Sequence, residues 1–141
     1  MSNGEEIRQL ITEQAEAIRK KDIEAAMAQY AKDIVSFDVI DSLQKKGIEA
    51  CRERLESWLS QFPGPFAYEI EQLTVLAGEE VTYCHSMNHV KGARATGEVI
   101  DMRWRATVCY SKTDGVWLIT HEHSSVPFDV ESGKALTSLT A

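Results

Sequence analysis

Pro63-Gly64-Pro65 divides the chain into two parts that follow different periodicities. Proline can neither continue a helix nor donate to a β-ladder, so no regular element runs through this tripeptide. Before it, apolar residues recur at intervals of three and four; after it they alternate. Helices followed by a meander of long strands predict an α+β fold, with helices covering one face of an antiparallel sheet.

In the first part, Ser2 or Asn3 can cap a helix whose opening turn carries Glu5 and Glu6, which suit the positive end of the helix dipole. Ile7, Leu10, Ile11, Gln14, Ala15 and Ile18 form its stripe. Asp22 can cap a second helix, Ile23 to Tyr30, and Ile34 to Val39 is β-branched and aromatic enough for a strand. Asp41-Ser42 makes a turn. Gly47 then releases a third helix, Ile48 to Phe62, with Cys51, Leu55, Trp58 and Leu59 on one side.

In the second part, strands are expected at Phe66 to Ala77, Val81 to Lys91, Glu98 to Lys112 and Val116 to Ser125. Tyr83, His85, Met87 and His89 share one face of the second of these. With no internal repeat or linker, residues 1–141 read as a single domain, with a core of about 5–128 and a loose polar C-terminal tail.

A hydrophobic fraction of 43% supports one good core. The formal charge of -7 argues against nucleic acid or an anionic membrane as partner, since phosphate binding needs clustered Lys and Arg. Cys51, Cys84 and Cys109 are odd in number and unrelated in spacing, which predicts reduced thiols rather than a disulfide framework or a CxxC site. MSNGEEIRQL is acidic where a signal peptide would be basic and then apolar, and no apolar run approaches the ~20 residues of a membrane span. The expected location is the cytoplasm.

Thr113-Asp114-Gly115 has the composition of a three-residue hairpin loop, which would set Lys112 opposite Val116. One face of the hairpin would then carry Met102, Trp104, Ala106, Val108 and Tyr110 with Leu118, Thr120, Glu122 and Ser124. The other would carry Arg103, Arg105, Thr107 and Cys109 with Trp117, Ile119, His121, His123 and Ser125. Aromatic residues on both faces predict that neither is fully wet. The second face, with Arg105, His121 and His123, is therefore expected to form a homodimer contact.

Two segments, KKDIEAAMAQYAKDIVSFDV at Lys20 to Val39 and the DG-V-W-L-I-x-H-E-H-S-S ending at Ser125, carry a resemblance to the nuclear transport factor 2-like superfamily. Within it the chain is similar to the SnoaL-like (polyketide cyclase-like) and ketosteroid-isomerase-like proteins, from Glu5 to Phe128. The resemblance implies a cone-shaped curved antiparallel sheet wrapped around the N-terminal helices, a cystatin-like α+β roll with a hydrophobic pocket at its open end. Members include cofactor-independent isomerases, lyases and cyclases, and also non-catalytic binding or assembly modules, so fold is implied more narrowly than activity.

Aligned on YAKDIVSFDV, Asp38 falls where the isomerases carry the aspartate that moves a proton next to a carbonyl. It reads either as that general base or as a strand-end aspartate bonded to a turn. The oxyanion-hole tyrosine of those isomerases is replaced by Gln14, and their second aspartate falls near Ala106 or Val108, which excludes steroid isomerisation by that machinery. Glu122 has the parity of an acid that projects from the last strand into the pocket. It reads either as partner to Asp38 in an acid/base pair or as the partner of an arginine.

The resemblance and the residue types together place Gln14, Tyr30, Phe37, Trp58, His85, Trp104, Thr120 and Ser124 along the ligand pocket. His121-Glu122-His123, with His85 and His89, could share a cation, but a His-x-His in a strand is more often a buried hydrogen-bonded pair, and no metal or cofactor is expected. The expected ligand is a small apolar or carbonyl-containing compound.

Overall fold

The computed structural model describes residues 1–140. Helix α1 spans Asn3–Arg19; Ser2 Oγ accepts from the Glu5 N–H at 3.1 Å, so the expected cap is in place. Asp22 caps α2, Ile23–Met27, by accepting from the Ala25 N–H at 3.1 Å. This second helix ends three residues before Tyr30, which instead opens strand β1, Tyr30–Phe37. The short β2, Lys45–Lys46, leads through Gly47 at φ 91° into α3, Ile48–Leu59. Strands β3 (Ala67–Ala77), β4 (Val81–Ala93), β5 (Val99–Thr113) and β6 (Val116–Ser125) follow Pro65.

The six strands form one curved sheet in the order β2-β1-β6-β5-β4-β3. Every neighbouring pair is antiparallel except β1 and β6, which run parallel. The α+β prediction holds, with that one parallel pair added. The helices pack on the inner face. Ile7, Ile11, Met27, Ile34, Cys51, Cys84, Tyr110, Trp117 and Ile119 form one core cluster, and Ala15, Ala17, Ile18, Ala26, Leu59 and Tyr68 a second. Tyr110 is fully buried and its hydroxyl donates to Gln29 Oε1 at 3.0 Å, which satisfies the phenol inside the core.

The register of the β5–β6 hairpin differs from the expected one in two places. Thr113 faces Val116, leaving a two-residue loop in which Asp114 (φ 51°) and Gly115 (φ 79°) both take left-handed conformations, as a type I′ turn requires. This moves Trp117 and Ile119 to the inner face, against the expectation; both are buried beside Tyr110. A bulge then falls between Ile119 and His121, where Cys109 pairs with His121 and Tyr110 with Ile119. Thr120 is the extra residue. Beyond it the parity returns to the expected one, and Val108 faces Glu122 and Ala106 faces Ser124.

The tail is not loose. The Arg103 N–H donates to the Thr137 carbonyl at 2.9 Å, the Leu136 N–H donates to the Pro127 carbonyl at 2.8 Å, and Phe128 bridges to Ala135. The polar segment thus occupies backbone positions on β5 that β6 leaves free after Ser125. Among the described residues no helix is long and apolar enough to cross a membrane.

Candidate functional site

Between α1, α3 and the inner face of the sheet lies a cavity of about 330 Å³. One rung of the sheet explains its chemistry. Lys45 pairs with Ser36, Ser36 with Glu122, Glu122 with Val108, Val108 with Cys84 and Cys84 with Val75, so the inner face passes from charged to apolar across all six strands. The Thr120 bulge brings Glu122 into this row.

Glu122 lines the cavity and accepts from the Tyr30 hydroxyl at 2.9 Å and the Ser36 hydroxyl at 3.2 Å. Both donors are neutral, and among the described residues no lysine or arginine pairs with it. The arginine partner expected as one reading is therefore absent there. Burial pushes the carboxyl above the ordinary range, the bonds from Tyr30 and Ser36 oppose that, and the nearby Asp38 carboxylate adds to it. Burial raises Tyr30 well above its usual value too, and the Glu122 charge adds to this.

Asp38, at the end of β1, also lines the cavity, and it is this carboxylate that has the arginine. Arg54 Nε lies 2.8 Å from Asp38 Oδ2, while Oδ1 accepts from the Val39 N–H at 2.7 Å. Both readings of Asp38 thus contain part of the arrangement: it faces the cavity and is also tied to the chain beside it. Arg54 was missed from the residues alone, although it was legible there. It stands three after Cys51 and four before Trp58, a charge on the apolar stripe of α3, and Cys51, Leu55 and Trp58 line the cavity with it. Burial pushes the Cys51 thiol up to about 11, so it remains protonated near neutrality.

The apolar wall is aromatic. Trp58 meets Phe62, Phe66, Tyr68 and Trp104 edge-on, with centroids 5.9 to 6.1 Å away, and Tyr68 stacks on Trp104 at 6.1 Å. Gln14 lines the cavity as expected, but its Nε2 donates to the Ala26 carbonyl at 3.2 Å. That leaves its oxygen, an acceptor, where the isomerases have a donor. Tyr30, Trp58, Trp104 and Ser124 complete the expected residues that face the cavity.

Three expected pocket residues are elsewhere. Phe37 alternates with the inward Ser36 and so points outward, where it packs edge-on against His121 and His123. His85 is exposed on the outer face of β4, between the inward Cys84 and Ser86. Thr120 is the bulged residue; its hydroxyl lies 3.1 Å from that of Ser111, on the strand face away from Tyr110. Arg105, His121 and His123 lie on the outer face. His121 Nδ1–H donates to the Val35 carbonyl at 2.6 Å, and Arg105 Nε donates to Ser125 Oγ at 3.1 Å. His89 pairs with Asp101 at 2.6 Å, and among the described residues no three His, Cys, Asp or Glu side chains gather as a metal centre.

The model of the SnoaL-like domain family matches residues 7–129. The chain belongs to the SnoaL-like family. A crystal structure of an NTF2-like protein of unknown function from Pseudomonas putida KT2440 is similar to this SnoaL-like chain at 40% identity and TM-score 0.88, covering 98% of this chain and 96% of that one. A proposed dehydratase of the NTF2-like family from Streptomyces avermitilis shares the fold at 11% identity and TM-score 0.74, covering 86% and 93%. The association domain of C. elegans CaMKII does so at 20% identity and TM-score 0.68, covering 86% and 93%. No curated protein matches the chain. SnoaL-like chains thus share this scaffold with relatives of differing description, and the reading of this one rests on its own cavity.

Proposed function

We propose that the protein binds a small apolar carbonyl compound in the cavity and moves a proton on it without a cofactor, as an isomerase, lyase or cyclase would. The observation that carries this reading is Glu122, a carboxyl set in a cavity with an aromatic wall and held only by neutral hydroxyl donors. Burial disfavours the charged form of such a group, which makes it a stronger base than an exposed carboxylate. Asp38 was the expected base. Its bonds to Arg54 and Val39 favour a different division, in which Glu122 takes and returns the proton while Asp38 and Arg54 orient the polar end of the ligand.

The test is deuterium exchange at the carbon next to the carbonyl, followed by NMR in D₂O for a panel of apolar ketones. The wild type should accelerate exchange of at least one ketone, and Glu122→Gln should lower that rate by about 10²-fold or more. If the ketones bind but none exchanges faster, the non-catalytic binding module is the correct reading.

We also propose that the outer sheet face forms a homodimer contact. Phe37, Leu76 and Tyr83 are exposed on it, alongside Arg105 and His123. Exposed large apolar groups beside cations and aromatic rings are the composition of an interface.

A further inference from the structure

The cavity contains two cations whose hydrogen-bonding capacity its carboxylates do not exhaust. Lys45 stands opposite Ser36 on the inner face, beside the residue that donates to Glu122. Its Nζ donates to Ser42 Oγ at 3.3 Å, and among the described residues no carboxylate lies within ion-pair distance of it. Arg54 uses Nε for Asp38. Its two terminal nitrogens, which carry four N–H donors, make no hydrogen bond among the described residues, although the side chain is only 21% exposed.

The pairing leaves the cation donors free at one end of the cavity. Asp38 takes one donor of Arg54, Glu122 is held by the Tyr30 and Ser36 hydroxyls, and Lys45 is left without a carboxylate partner among the described residues. A chain with formal charge -7 thus keeps an unpaired lysine and the free donors of an arginine at one end of its cavity, with Trp58 and Trp104 on the wall. A planar guanidinium held at Nε presents its remaining donors as a fork, the geometry that matches a carboxylate. A phosphate dianion is disfavoured, because two carboxylates stand close by and Lys45 is the single cation of the lining without a carboxylate partner.

We propose that the ligand is an amphiphilic monoanion, an aromatic carboxylic acid whose carboxylate is taken by the terminal nitrogens of Arg54 and by Lys45, with its rings against Trp58 and Trp104. This rests on the reading of the cavity as the ligand site and adds the ligand's chemical class. Arg54 and Lys45 become specificity-determining residues, and Asp38 a positioning residue that holds the fork. The carboxylate anchors the ligand apart from the carbon that faces Glu122.

The probes are 2-naphthoate and the neutral 2-acetylnaphthalene, with affinities measured at pH 7.5 and low salt by calorimetry and tryptophan fluorescence. The wild type should bind 2-naphthoate about tenfold or more tightly than the ketone, and added salt should narrow the gap. Lys45→Met combined with Asp38→Asn/Arg54→Met should bring both compounds to equal affinity. The paired replacement leaves no orphaned charge, so folding is preserved, and Lys45→Met alone should already lower the preference several-fold. If the ketone binds as tightly as the acid, or the variants keep the preference, the anion proposal is overturned while the cavity stands as a ligand site. If neither compound binds, both readings fail.

Discussion

Arg54 Nε and Asp38 Oδ2 lie 2.8 Å apart, and this contact separates the two carboxylates of the cavity into one with a charged partner and one without. The two side chains are 21% and 16% exposed, so the pair is largely shielded from water. Arg54→Met should cost about 1–3 kcal/mol by leaving Asp38 unpaired, whereas Asp38→Asn/Arg54→Met should recover most of that loss. Urea denaturation of the two single variants and the double variant measures the coupling. Simple additivity would mean that the pair contributes no more than two separately solvated charges.

Glu122 should make stability fall as pH rises. Its folded pKa lies above the ordinary 4.5, so between that value and the raised one the folded state binds more protons than the unfolded state. The contribution is fully present below 4.5 and is lost as pH climbs through the folded pKa. Glu122→Gln removes this titration. The stability of the variant relative to wild type should therefore increase across the window, read from denaturant midpoints at a series of pH values. A pH-independent difference would contradict the origin of the shift in burial.

Gly92 is required by a close approach. A Cβ there would stand 2.8 Å from both Phe62 Cδ1 and Phe66 Cβ, the stacked pair that abuts Trp58. Gly92→Ala should cost about 1–3 kcal/mol through overpacking and alter the Trp58 environment, visible as a shift in tryptophan emission. Unchanged stability and emission would show that the aromatic cluster is free to yield.

The outer face should hold two copies together. Sedimentation at micromolar concentration is expected to give a dimer, and Arg105→Glu with His123→Glu should convert it to a monomer without a loss of helix signal. A monomeric wild type would remove the proposed interface.

Much of the fold could be read along the chain. Ser2 and Asp22 as caps, Gly47 as the entry to α3, and the β6 boundaries at Val116 and Ser125 all depend on local chemistry. Inward projection of Glu122 was also expected, but by a route that differs from the real one. A two-residue turn shifts the register by one relative to the three-residue loop expected, and the extra residue at Thr120 shifts it by one more in the same direction. From His121 onward they add to two residues, which restores the expected face, and before it the single shift inverts the faces. Trp117 and Ile119 were therefore assigned to the wrong face and Glu122 and Ser124 to the right one.

The residues by themselves determined the division at Pro63-Gly64-Pro65, the element types on either side of it and the set of polar groups available to a site, because periodicity, caps and turn breakers act within a few residues. The tertiary structure alone decided that Arg54 joins Asp38 rather than Glu122, that Phe37 and His85 face away, and that Lys45 closes the rung through Ser36 to Glu122. Those outcomes depend on which strands become neighbours and where a bulge interrupts them. The free energy of that choice is spread over the whole sheet and its core, so no short stretch of sequence encodes it.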